Sequence, residues 1–306
     1  MKVVIRRMGP ILAALALAGC WRGRLLVCTE PPFRASLGEP FPVELSMAAH
    51  SLLRGYWPVH LQVSAKENPR ERLTAALATG RFRTAVVGPL LSLEAAGFAQ
   101  GFPKVRFILV GGPGSGEAPS NAVTLAFDRV EAFRLAGAAA RLSLGEGETR
   151  GLVGVVTGTA ASNQDEEVRA FLQGAVGGGP GGGDVGAQPL VRTVEQPLDE
   201  QKVKAAVSEM RRAGVEIFLL RIAGFDVSCL EALRDGGGSA VLSDWAVSRA
   251  FPRQVFLSVE EKIFEGIGLC LGRAGTAGGV VSGPVGVVCG TARPVPREMK
   301  RRIDCR

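Results

Sequence analysis

Residues 125–175 read LAFDRVEAFRLAGAAARLSLGEGETRGLVGVVTGTAASNQDEEVRAFLQGA, and the periods within this stretch decide the fold class. Leu125 to Phe127 alternates as the end of a strand. Ala132, Leu135, Ala136, Ala139, Ala140 and Leu142 then recur at helical spacing, and Gly145 and Gly147 close that helix. Leu152 to Val156 is a short run of branched apolar residues bounded by glycine, which predicts a strand covered on both faces in a parallel sheet. Val168, Phe171, Leu172 and Ala175 give the next helix one apolar face. Strand, helix, strand and helix in this order predict an α/β lobe entered by a helix that comes from another part of the molecule.

Working outward toward the N-terminus, Leu25 to Cys28 reads as a first strand. Thr29-Glu30-Pro31-Pro32-Phe33 reads as a loop, because prolines remove donors and block the start of a helix. Val43 to Leu53 predicts a helix and His60 to Ser64 a strand. Asn68 is a good N-cap with Pro69 at the first helical position. Thr84 to Val87 and Val105 to Val110 are further strands, with a helix around Leu93 to Ala99 between them.

Toward the C-terminus, strands are expected at Gln188 to Val194, Val215 to Leu220 and Ala240 to Ser243, with Asp199 and Asp226 opening helices. Gln254 to Leu257 crosses back, Ser258 caps a helix through Ile263 and Ile267, and Pro284 to Val288 precedes a helix near Pro296 to Ile303. The predicted fold is α/β, with two doubly wound parallel-sheet lobes joined by hinge strands. Residues 20–125 plus about 250–306 form the N-terminal lobe and 126–249 the C-terminal lobe. Crossings are expected near Ala126, near Trp245 to Gln254, and after Cys270.

Phe127, Glu131-Ala132, Leu135-Ala136-Gly137, Gly154-Val155-Val156 and Arg169-Ala170-Phe171 with Gly174 resemble the basic membrane protein family, with weaker similarity from Asn68 to Arg302. Those are substrate-binding lipoproteins, many of them purine-nucleoside receptors of ABC importers, with the type 1 periplasmic-binding fold. The resemblance implies a small-molecule ligand, an ABC permease as partner, a monomer and no enzymatic activity. Gly224 resembles a glycine of the family's AGG turn and Asp244 the acid of its VIGVD motif. Val255 to Glu261 resembles its VLTSMVK segment, with the family lysine falling on Glu261 and Lys262 beside it. The family's stacking aromatic falls near Phe225 or Trp245. The chain departs from the family in its first loop, TEPPFRASLGEPF, and in having Gly111-Gly112 where an acid usually follows the fourth strand. Those departures put the expected ribose or base contacts in doubt.

The ligand-binding candidates are therefore Phe127, Arg221, Gly224, Phe225, Asp244, Trp245 and Lys262. Three of them have a plain structural alternative. Phe127 serves equally as core, Arg221 as a surface ion pair and Asp244 as a turn or cap acid. Glu166 and Glu167 sit at a helix start, where acids favour the dipole, so they are not read as a catalytic pair.

Lys2, Arg6 and Arg7 precede the apolar run Ile11 to Ala18, too short to span a bilayer, and Leu17-Ala18-Gly19-Cys20 follows. This describes a secretory signal over residues 1–19. Its end resembles a bacterial lipobox, which implies acylation of Cys20 and a lipid anchor on the extracytoplasmic side of a bacterial envelope. Removing Lys2, Arg6 and Arg7 takes 36 basic residues to 33 against 29 acidic ones, so the formal +7 falls to +4. Basic residues are dispersed apart from Lys300-Arg301-Arg302, which reads as a solvated face rather than a nucleic-acid site.

Two histidines, His50 and His60, lie apart from any cysteine or acidic cluster, so no metal, cofactor or Ser-His-Asp set is expected. Cys28, Cys229, Cys270, Cys289 and Cys305 contain no CxxC pair; Cys28, Cys270 and Cys289 read as buried packing. Gly111 to Gly116 and Gly177 to Gly183 lack the Lys-Ser/Thr of a phosphate cradle and read as loops. The expected function is a lipid-anchored substrate-binding protein for a nucleoside or related polar metabolite. The alternative is a surface lipoprotein that keeps the fold for protein or host contact and transports nothing.

Overall fold

The structure, a computed structural model, describes residues 22–303 apart from 38–46, 93, 112–118, 146–150, 159–164, 178–187, 196, 223, 244 and 273–278. The chain divides into two compact units, residues 1–127 with 262–284 and residues 128–261 with 285–306.

The first unit holds a six-stranded sheet of order β11-β5-β4-β3-β1-β2. Its strands are β1 (Gly23–Thr29), β2 (Tyr56–Gln62), β3 (Thr84–Val87), β4 (Arg106–Val110), β5 (Ala122–Ala126) and β11 (Val280–Ser282), all paired in parallel. Leu25, Leu26, Val27 and Cys28 are all buried, as both faces of β1 are covered. One face packs Leu25, Val27, Val86, Ile108 and Leu125 against Ile263, Ile267 and Leu271 of helix Ile263–Gly272; the other packs Leu26, Val87, Phe107 and Leu109 against Leu73 and Leu77 of helix Pro69–Ala78.

The second unit repeats the plan with order β12-β10-β9-β8-β6-β7. Here β6 (Leu152–Gly158), β7 (Leu190–Val194), β8 (Val215–Arg221), β9 (Ser239–Leu242) and β10 (Val255–Glu261) run parallel, and β12 (Val285–Cys289) joins antiparallel at the edge. Helices Val130–Ser143 and Glu166–Val176 pack on one face and helices Glu200–Arg212 and Asp226–Gly236 on the other.

Gly137 and Gly174 allow the first two of these helices to touch backbone to backbone. A Cβ on Gly137 would lie 2.0 Å from the Phe171 carbonyl oxygen, and one on Gly174 would lie 2.0 Å from that of Arg134. Both glycines belong to the stretch that carries the family resemblance, and their physical role is this close helix contact.

The structure corrects several expectations. Pro31–Leu37 is helical: its first turn has no intrahelical use for the missing N–H groups, so prolines start this helix rather than prevent it. Ser258 is not a cap but a buried residue inside β10, where its Oγ lies 2.9 Å from Ser248 Oγ. The apolar run continues past it to Val259 because the strand is covered on both faces. Residues 250–261 and 285–306 belong to the second unit, not the first, since β10 and β12 complete its sheet. The chain passes between units at 127/128, 261/262 and 284/285. Residues 297–299 form a single 3-10 turn that buries Met299 against the second unit's core.

Asn68 caps its helix as expected, accepting from the amides of Arg70 and Glu71. Cys28, Cys229 and Cys270 are buried and stand outside any disulfide, whereas Cys289 is disulfide-bonded rather than simply packed. Burial pushes the Cys28 and Cys229 thiols up to about 12, which leaves them unreactive. Cys20, the signal segment, Asp244 and most of both glycine-rich loops lie outside the described residues.

Candidate functional site

In an open α/β sheet ligands collect beyond the carboxyl ends of the strands, where loops and helix N-termini supply polar groups. Each unit has charged and polar side chains there.

In the second unit, Arg221 is the last residue of β8. Its Nη2 donates to Asp165 Oδ2 at 3.0 Å and lies 2.8 Å from Glu167 Oε2, and its Nη1 reaches Ser243 Oγ at 3.4 Å. The guanidinium carbon stands 5.6 Å from the centre of the Phe133 ring, a cation–π distance. Asp165 is the N-cap of helix Glu166–Val176 and also accepts from the Glu167 amide at 2.9 Å. Arg129, just before helix Val130–Ser143, donates to Glu167 Oε1 at 2.7 Å and approaches Glu261, the end of β10, at 3.6 Å.

Five side chains from four chain segments therefore meet at one edge, each with a third or less of its surface exposed. Burial raises the Asp165 carboxyl, but the hydrogen bond and charge of Arg221, with the amides of Glu167 and Val168, together outweigh it and hold Asp165 below the usual aspartate range. Burial pushes the Glu261 carboxyl up against the opposing charge of Arg129, and the charge of Glu167 adds to the rise.

In the first unit, Thr29 and Glu30 follow one another at the end of β1, both fully buried. Glu30 Oε1 accepts from the Leu90 amide at 3.0 Å, while Oε2 has no hydrogen-bond partner among the described residues. A Cβ on Gly88 would fall 2.4 Å from Glu30 Oε1, so the carboxyl lies flat on that glycine. Burial raises the Glu30 carboxyl above the ordinary glutamate range, against the lowering effect of its own amide and that of Leu90.

Beside it, Thr29 Oγ1 lies 2.7 Å from His60 Nε2, and His60 Nδ1 lies 3.4 Å from Gln62 Nε2. Arg34 donates to Gln62 Oε1 at 3.1 Å. Which ring nitrogen of His60 carries the proton decides the donor and the acceptor in both of its contacts.

Of the residues expected from sequence, Arg221 stands at the centre of the second unit's edge. Gly224, at φ +83 with open space around it, and Phe225, half-buried against that unit's core, follow directly. Trp245 opens helix Trp245–Ala250 after β9. Phe127 and Lys262 belong to the first unit. Phe127 packs against the core there, and a Cβ on Gly283 would lie 2.3 Å from its ring. Sequence reasoning missed Asp165 and Glu261 and assigned Glu167 only to a helix dipole. The one available signal was a helix-capping Asp directly after a predicted parallel strand and loop.

No family profile matches the sequence, and no curated protein matches it either. Solved structures do match. A transcriptional activator of the comK gene from Bacillus halodurans is 17% identical with a TM-score of 0.63, over 91% of this chain and 93% of that one. An ABC transporter solute-binding protein from Conexibacter woesei is 20% identical at TM-score 0.62, over 91% and 92%. A periplasmic ribose ABC transporter protein from the same organism is 15% identical at TM-score 0.60, over 89% and 93%. This chain has the type 1 periplasmic-binding fold. Binding proteins and a regulator share that fold at these low identities, so the similarity defines the architecture and leaves the ligand to the residues at the sheet edges.

Proposed function

We propose that the protein binds a small polar solute for an ABC importer, with the carboxyl-end edge of the second unit's sheet as a principal contact surface. The observation that carries this reading is the set Arg129, Asp165, Glu167, Arg221 and Glu261, gathered on the type 1 periplasmic-binding fold at the place where open α/β sheets bind ligands. Groups so held are preorganised: their rotamers are fixed by one another before a ligand arrives, which lowers the entropy cost of recognition. The resemblance of residues 127–174 to nucleoside-binding lipoproteins supports a nucleoside or related metabolite as the solute. The Leu17-Ala18-Gly19-Cys20 run supports a lipid anchor at Cys20.

Thermal unfolding in the presence of nucleosides, sugars, amino acids and amines tests the reading. A solute at a hundred times its Kd adds about 2.7 kcal/mol to stability and raises the transition by several degrees. One specific observation favours the alternative, a surface lipoprotein that transports nothing: Arg221 is already engaged by two carboxylates of the chain itself. A panel in which no solute moves the transition supports that alternative.

A further inference from the structure

The carboxyl end of the first unit's sheet is fastened at two points around one turn. After β3 the chain passes through Gly88 into the short helical turn Pro89–Ser92. On one side Ser92 Oγ lies 2.9 Å from the Gly88 carbonyl oxygen and 3.1 Å from that of Val110, the end of β4. On the other side the Glu30 carboxyl, from the end of β1, accepts the Leu90 amide at 3.0 Å. The first fastening is neutral, whereas the second can gain or lose a proton.

The surroundings of Glu30 decide which form fits. The residue is fully buried, and a Cβ on Gly88 would lie 2.4 and 2.6 Å from its two carboxyl oxygens and 2.6 Å from the Phe33 ring. Carboxyl and ring therefore press on the same point of the turn, where only glycine leaves room. A carboxylate has room for about four hydrogen bonds, yet Oε2 takes none among the described residues. The charged and titratable groups around it are engaged elsewhere. Cys28, on its own strand, stays a neutral thiol with a pKa of about 12, with Arg72 acting on that thiol. Arg34 of helix Pro31–Leu37 donates to Gln62, His60 of β2 meets Thr29, and Arg106 at the start of β4 donates to the Cys270 carbonyl. β3 and the Pro89–Ser92 turn carry no titratable side chain. A buried carboxyl with so few donors favours its neutral form, and burial raises Glu30 accordingly.

We infer that Glu30 is a proton-operated latch: neutral, it holds the end of β1 to the Gly88–Ser92 turn, and on ionisation it releases that turn. The latch concerns the first unit alone and stands whether or not a solute binds. Ligands of open α/β sheets gather beyond these strand ends, so the shape of that edge depends on pH. The sign follows from linkage. With the folded carboxyl raised, its contribution is fully present below the unfolded pKa and is lost as pH rises through the folded one.

Hydrogen exchange of the full-length protein, followed by NMR from about pH 4 to 8 and corrected for each amide's intrinsic rate, tests the latch. The opening constant at the Leu90 amide is expected to climb by up to about tenfold per pH unit above about pH 4.3, then level off once the folded carboxyl has titrated. Strand amides of Val155 and Leu219 in the second unit should show no such climb. Glu30→Gln, which keeps an acceptor without the charge, should abolish the climb. His60→Gln should leave it intact, although histidine titrates in the same range. A flat profile at Leu90 in the parent would overturn the inference, as would a climb shared by Val155 and Leu219, one that survives in Glu30→Gln, or one that is lost in His60→Gln. Should Glu30→Gln not fold, the carboxyl ¹³C resonance of Glu30 in the parent decides: it must titrate over the same pH range as the Leu90 climb, and titration outside that range would overturn the latch.

Discussion

Arg221 and Asp165, 56 residues apart in sequence, are joined at 3.0 Å where β8 ends and helix Glu166–Val176 begins. The pair ties the end of a central strand to the cap of the helix packed on its sheet, so one contact serves both fold and edge geometry. Replacing Asp165 by Asn removes the charge opposite a mostly buried guanidinium, and the loss is expected to be about 2 kcal/mol in urea unfolding, below the full cost of breaking a completely buried pair. The pH dependence has a definite sign. Because the folded Asp165 carboxyl lies below its ordinary value, its contribution is present above the unfolded pKa and is lost as pH falls through the folded one. Asp165→Asn should therefore flatten the acid limb of the stability profile, and an unchanged acid limb would contradict the assignment.

Gly137→Ala and Gly174→Ala are expected to destabilise by about 3 kcal/mol each or to prevent folding, because each Cβ would press on a main-chain carbonyl that cannot rotate away. Gly97→Ala is the matched control. It lies in helix Ala95–Gly101 with nothing within 4 Å of the added carbon, and alanine there is expected to stabilise by about 0.5 to 1 kcal/mol. Urea midpoints of the three variants check the contrast.

Glu30→Gln separates packing from charge in the first unit. The folded Glu30 carboxyl is raised, so the stability it contributes is present below its unfolded pKa and lost as pH rises through the folded value. Glutamine keeps the acceptor for the Leu90 amide without the charge. The variant should thus be at least as stable as the parent at neutral pH, with any advantage gone below about pH 4. A variant clearly less stable at neutral pH would show that the ionised carboxylate is held by donors and that burial is not the dominant effect.

The two sheets were legible in the sequence because covered parallel strands leave short apolar runs between helices of period 3.6, and most of the expected runs became strands. Errors arose where one residue type has two positional meanings. Pro31 and Pro32 resemble helix blockers in sequence although a helix start tolerates them, and Ser258 resembles a cap although it is a small buried polar residue that meets Ser248. That second error hid Glu261 by placing it in a helix instead of at a strand end. Arg221 was legible because it directly follows an apolar strand. Its partners were not, because an acid at a helix start already has a local explanation, and only the tertiary fold brings Asp165 and Glu167 to it.

The proposed anchor is checked independently of ligand. Cys20→Ala is expected to leave the chain unacylated and move it from the detergent to the aqueous phase on Triton X-114 partition, since each buried methylene contributes about 0.8 kcal/mol to membrane attachment. A variant that still enters the detergent phase would rule out acylation at this cysteine.

Native mass spectrometry of the protein purified without added solute bears most directly on the account. A solute-binding protein that uses the Arg221 edge should carry an adduct of one reproducible small mass, or acquire one from the host's metabolite extract, and Arg221→Ala should lose it while remaining folded by circular dichroism. A protein that takes up no small molecule from the extract, or an Arg221→Ala variant that retains the adduct in full, would contradict the claim that this edge binds the solute.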